Sequence, residues 1–107
     1  AGWIPYFLQR LDRAAKSGRD NYPTRLTLKP SEYFHRQVYA TYIDDPVAIR
    51  MLDLIGVDNL LWSSDYPHNA STWPHSRDVV ERDFGHLRPD VRRKVVRDNV
   101  VNLYRLG

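Results

Sequence analysis

Between Trp3 and Lys16 the apolar residues Ile4, Phe7, Leu8, Leu11 and Ala15 recur at three- and four-residue spacing, the period of one helix face. Pro5 suits the first turn of that helix. Ser17-Gly18 ends it, with Gly18 at the left-handed cap. Arg19 to Lys29 has no period and contains Pro23, so it reads as a loop. Pro30-Ser31-Glu32 opens a short helical turn that runs to His35 or Arg36. The pattern then changes. From Gln37 to Ile43, the residues Val38, Tyr39, Thr41, Tyr42 and Ile43 are β-branched or aromatic. Both alternating sets hold apolar residues, which predicts a strand buried on both faces.

Asp44-Asp45-Pro46 is a helix start, with Asp45 as the cap and Pro46 at the first helical position. Val47, Met51, Leu54 and Ile55 form its stripe, and Gly56 ends it. Asp58-Asn59 turns the chain into a second strand, Leu60 to Ser64. A helix over Pro74 to Phe84 turns Val79, Val80 and Phe84 inward and stops at Gly85. Another follows over Pro89 to Arg97, with Val91, Val95 and Val96 on one side. Asp98-Asn99 breaks it and caps a last helix, Val100 to Leu106. Strand, crossover helix, strand is a βαβ unit with parallel strands. The pattern therefore predicts an α/β fold, and leaves open whether the sheet is a barrel or an open doubly wound one.

The candidate chemistry sits after the second strand, in the stretch LLWSSDYPHNASTWPHS from Leu60 to Ser76. Asp65 stands at the carboxyl end of a buried strand, just before a loop and a helix. There α/β enzymes place catalytic and metal-binding groups, because the strand end is rigid and open. The plain reading of Asp65 is a loop acid bonded to nearby amides. His68, three residues on, props the loop, supports Asp65 or touches substrate; the last two roles are preferred. His75 reads as structural, although Asp65, His68 and His75 together would suffice for a small zinc site. His35 and His86 read as surface residues. Tyr66 and Trp73 flank the loop and read as packing residues, and Trp62 as core. Asp44 ends the other strand. No Gly-rich phosphate loop and no CxxC is present.

Composition narrows the classes. At 107 residues the chain suffices for one domain, whereas a complete (β/α)8 barrel needs roughly 200 or more. With 42% apolar and 27% charged residues it has the make-up of a globular protein. It has no cysteine, so no disulfide and no thiolate metal site. No apolar run is long enough for a membrane span and no signal peptide is visible, so a cytoplasmic location is expected. There are 16 basic and 13 acidic residues, largely interleaved, as on solvated helix faces. The densest cluster, Arg92-Arg93-Lys94 with Arg97, is small, so neither nucleic acid nor membrane is expected as a partner.

SSDYPH followed by STWPHSR resembles the last barrel strand and following loop of the amidohydrolase-related metal-dependent hydrolases. That group includes enzymes similar to aminocarboxymuconate-semialdehyde decarboxylase. The likeness continues in GWIPYFLQRLDR, PSEYFHRQVYATYIDD and RRKVVRDNVVNLYRLG. It implies the carboxyl-terminal part of a (β/α)8 TIM-like barrel, with residues 1–107 as a single partial domain of two parallel strands and flanking helices. It implies hydrolysis or non-oxidative decarboxylation of a small molecule, with Asp65 as both metal ligand and proton-transfer group. His68 is then expected to contact substrate. The implied cofactor of the intact enzyme is a divalent metal, zinc first, with manganese or iron as alternatives. The amino-terminal His-x-His pair of such sites is absent, and a catalytic metal needs about three protein ligands. The isolated chain is thus expected to be inactive and metal-free. Open strand edges also lead to the expectation of a homo-oligomer. The rival reading is a non-catalytic small α/β protein that acts through oligomerisation.

Overall fold

The computed structural model describes residues 1–17 and 26–107. The cap expected at Gly18 and most of the loop expected over Arg19 to Lys29 lie outside the described residues. Helix α1 spans Ile4–Lys16 and α2 spans Pro30–Gln37. Strand β1 is Ala40–Tyr42 and β2 is Leu60–Trp62. Between them lie α3, Pro46–Arg50, α4, Leu52–Ile55, and a 3-10 turn, Val57–Asn59. After β2 come α5, Ser76–Phe84, and α6, Pro89–Arg93. A π-helical turn, Lys94–Asp98, leads directly into α7, Asn99–Tyr104.

The two strands pair in parallel, Ala40 with Leu60, Thr41 with Leu61 and Tyr42 with Trp62. That is the expected βαβ unit, and the chain is an α/β fold of two parallel strands with flanking helices. Ala40, Tyr42, Leu60 and Trp62 share one face of the sheet. Against it pack Ile4 and Leu8 of α1, Ala48, Leu52 and Ile55 of α3 and α4, Phe84 of α5, and Val95 of the π turn. Tyr42 meets Phe84 edge to face at 5.0 Å. Leu61, on the opposite face, is buried but lies outside this core cluster, and Thr41 is exposed. Burial on both faces therefore holds for β2 and fails for β1.

β1 is shorter than expected, for a local reason. The side-chain amide of Asn59 donates to Val38 O at 2.8 Å and His35 O at 3.1 Å. It closes the end of α2 and takes a carbonyl that a longer strand would need. Asp45 caps α3 as expected, accepting from Ala48 N at 3.1 Å. Its other oxygen accepts from Gly2 N at 2.7 Å, which docks the start of α1.

The stripe expected at Val47, Met51, Leu54 and Ile55 is corrected. The buried positions are Ala48, Leu52 and Ile55, while Val47 and Leu54 are 52% and 61% exposed. The helix breaks at Met51, where φ is −108°, and small Ala48 lets α3 close on the sheet. On α1 the stripe narrows to Ile4, Leu8 and half-buried Leu11, since Phe7 lies outside and meets Trp3 edge to face at 5.5 Å. Gly56 ends α4 at φ 96°, a conformation that a side chain would strain.

The break expected at Asp98-Asn99 is absent. Both residues are helical, and α6, the π turn and α7 run on without interruption. Asn99 is buried, and its amide donates to Val57 O at 2.7 Å and Leu60 O at 2.9 Å. It clips the carboxyl-terminal helix onto the entry of β2 instead of capping.

Candidate functional site

Leu60, buried in the core, Leu61, buried on the opposite face, and half-buried Trp62 fix β2, and the chain turns polar at its carboxyl end. Ser63 N donates to Tyr42 O at 2.9 Å, the last rung between the strands. Asp65 follows two residues later with φ 58°, a left-handed conformation that Asp adopts more readily than most residues. Its backbone N–H donates to Ser63 Oγ at 3.2 Å. His68 N donates to Asp65 O at 2.9 Å, which closes a turn and brings the two side chains together. His68 Nδ1 then lies 2.8 Å from Asp65 Oδ1. The His68 side chain is 75% exposed and that of Asp65 26%.

The loop is pinned on itself. Ser64 O accepts from Thr72 N at 3.0 Å and from Ser71 Oγ at 2.8 Å. Ser71 Oγ also accepts from Trp73 N at 3.1 Å, and buried Thr72 bonds Ser76 of α5 at 2.9 Å. Asp65 and His68 thus ride on a loop whose two ends meet at Ser64, two residues past the end of β2. Sequence reasoning missed this hydroxyl frame. The run of Ser, Asn and Thr after the strand was its signal, because those side chains bond loop backbone.

His75 is not gathered into the site; its nearest acid is Asp78 at 3.8 Å. Tyr66 and Trp73 pack edge to face on each other at 6.0 Å, yet remain 68% and 63% exposed. Trp62 packs on the core as expected, and its indole N–H has no acceptor among the described residues. His35 and His86 are exposed.

Asp44, at the end of β1, belongs to another cluster. Arg82 of α5 bonds Asp44 at 2.5 Å and Asp83 at 2.6 Å. Asp83 is buried and accepts from the Tyr42 hydroxyl at 2.5 Å. The Arg82 guanidinium, with help from Tyr42, holds the Asp83 carboxyl below its usual range. Burial and the bond to Asp83 push the Tyr42 hydroxyl up. This network ties the ends of β1 and α5 together, and no pattern of residue types announced it. The groove beside it, about 320 Å3, is lined by Pro46, Ile49, Arg50, Arg82, Asp83 and His86, and not by Asp65.

A divalent metal at Asp65 would find one carboxylate and an imidazole already bonded to it. Among the described residues no group of three His, Cys, Asp or Glu side chains could hold a metal ion. These residues alone do not make a metal centre.

The amidohydrolase family model matches residues 14–106. The chain belongs to the amidohydrolase family. Among solved structures, this amidohydrolase chain is similar to 5-carboxyvanillate decarboxylase from Sphingomonas paucimobilis. Identity is 27% with a TM-score of 0.78, over 98% of this chain and 31% of the other. A dihydroxybenzoic acid decarboxylase from a Polaromonas species, solved with bound manganese and the inhibitor 2-nitroresorcinol, is 26% identical with a TM-score of 0.73. That match covers 97% of this chain and 31% of the other. 2,6-Dihydroxybenzoate decarboxylase from Rhizobium, at 22% identity and a TM-score of 0.70 over 96% and 32% of the two chains, shares the fold. No curated protein sequence matches. The amidohydrolase chain thus spans about a third of the length of these structures, and the barrel itself is not present in its two strands. Among the described residues no helix is long and apolar enough to cross a membrane.

Proposed function

We propose that residues 1–107 are a single partial domain, the carboxyl-terminal part of a metal-dependent barrel enzyme that decarboxylates a small aromatic acid without oxidation. The named activities of the solved relatives support decarboxylation over hydrolysis. The observation that carries the reading is the setting of Asp65. It stands at the carboxyl end of β2, with Oδ1 engaged by His68 and no donor to Oδ2 among the described residues. One carboxylate oxygen is therefore free to serve as a single metal ligand or to carry a proton. Replacing a carboxylate by hydrogen requires proton delivery to carbon, which a positioned carboxyl group performs. His68 lies beside it as a substrate contact. The remaining metal ligands would come from outside these residues. Manganese, bound in one relative, is the first metal to supply, ahead of the zinc expected from sequence. The other partners proposed are a small-molecule substrate and further copies of the chain.

The test is Asp65→Asn in the whole metal-loaded enzyme. The change keeps the shape and removes the charge. Turnover should fall by roughly 10²–10⁴-fold with the melting temperature nearly unchanged. Near-normal turnover would make Asp65 a loop brace and end the proposal.

A further inference from the structure

We propose that Arg82 is a charge-balancing residue for the mouth of the site: it neutralises Asp44 at the end of β1, so that an anionic substrate can approach Asp65 at the end of β2. The charge of the substrate rests on the proposed function; the pairing of Arg82 with Asp44 does not. The parallel register of Tyr42 with Trp62, and the rung from Ser63 N to Tyr42 O, bring the two strands to the same level at their carboxyl ends. Neighbouring strands lie about 5 Å apart, so Asp44, Asp45 and Asp65 leave the sheet side by side. Free carboxylates there would repel a carboxylate substrate. At about 10 Å, one unit charge weakens the binding of a like charge about twofold in water and about tenfold or more at a protein surface. Two of the three acids are answered. Asp45 accepts from Ala48 N and Gly2 N. Asp44 accepts from Arg82 Nη2 at 2.5 Å. Asp65 has no Lys or Arg partner among the described residues. An exposed ion pair alone contributes little. This one does not stand alone. Arg82 Nε and Nη2 also grip the two oxygens of Asp83, at 2.6 and 2.9 Å. Asp83 is buried and accepts from the Tyr42 hydroxyl of β1. That fork fixes the guanidinium in place for Asp44. Asp44 meets it from a left-handed backbone, φ 28°, which few residues with a side chain adopt.

Steady-state kinetics of the whole manganese-loaded enzyme test this role, on whichever member of a panel of aromatic carboxylic acids it consumes. Arg82→Gln and Asp44→Asn break the same bond, so a purely structural role would move both variants in one direction. A role in charge moves them apart. Arg82→Gln should raise KM about threefold to tenfold with kcat nearly unchanged, while Asp44→Asn should lower KM about twofold. The double variant should return KM close to the wild-type value. Salt at about 0.5 M should bring the variants together. Inhibition by the decarboxylated product, which has lost the charge, should be the same in all of them. A KM that rises in both single variants or in neither would overturn the role, and so would product inhibition that follows KM. If Arg82→Gln does not fold, Asp44→Asn and Asp44→Lys decide: KM should fall in steps, and a rise in either would overturn it. Consumption of none of the acids, or normal turnover in Asp65→Asn, would remove the proposed function. Opposite shifts that fail to appear while Asp65→Asn is inactive would remove the role of Arg82 alone.

Discussion

The amide of Asn99 donates to two carbonyls at the entry of β2, at 2.7 and 2.9 Å, from a helix that is distant in sequence. Asn99→Ala leaves Val57 O and Leu60 O without those donors in a closed space. The expected cost is about 2–3 kcal/mol, read as a lower urea midpoint with the slope unchanged. An unchanged midpoint would mean that water replaces the amide. Asp45 and Asp65 were legible as single residues because their roles are local: one caps the next turn, the other ends a strand. Asn59 and Asn99 were not. Asn commonly caps helices, so a cap was the natural reading at Asn99, and nothing nearby in sequence names the carbonyls these side chains reach.

At the scale of elements, the Tyr42–Asp83–Arg82–Asp44 network links β1 to α5. Arg82, then Tyr42, hold the Asp83 carboxyl below its usual range. A lowered folded value means that the unfolded chain binds the proton first as pH falls. The contribution is therefore complete above the unfolded value, about pH 4, and is lost as pH drops through the lower folded one. Melts of the wild type and Asp83→Asn should differ most near neutral pH and converge as the pH falls through the acid range. A difference that stays constant through the acid range would show that Asp83 contributes by packing alone. Element types and order were legible from periodicity, the βαβ unit included. The stripe on α3 and α4 was not, because Val47, Met51 and Leu54 outrank Ala48 in hydrophobicity while Ala48 fits the sheet. The joined helices α6 and α7 were misread because Asp98-Asn99 carries the residue types of a cap.

For the whole molecule, burial is one-sided. The core lies on one face of a two-stranded sheet, and Trp3, Tyr6, Val47 and Leu54 are each more than half exposed. The radius of gyration is 16.0 Å, against about 13 Å for a compact domain of roughly 100 residues. Both strands present an unpaired edge among the described residues. We expect sedimentation of the isolated chain to give a dimer or larger species, or a monomer without cooperative melting. A compact monomer with one sharp transition would show that the helices complete the fold unaided. The barrel could not be read from two strands and their helices. It came from the resemblance of the motif stretches, which the family match over residues 14–106 bears out for those that follow Arg13.

Above all scales stands the proposed service of Asp65 in a decarboxylase. It is tested most directly by running the whole manganese-loaded enzyme on whichever of a panel of carboxylated phenols it consumes, in heavy water, and weighing the product. Carbon dioxide should be released and one deuteron fixed on the ring carbon that lost it. Asp65→Asn should form little of either. Loss of the carboxylate in Asp65→Asn at the wild-type rate, or a product carrying water oxygen and no new carbon–deuterium bond, would contradict it.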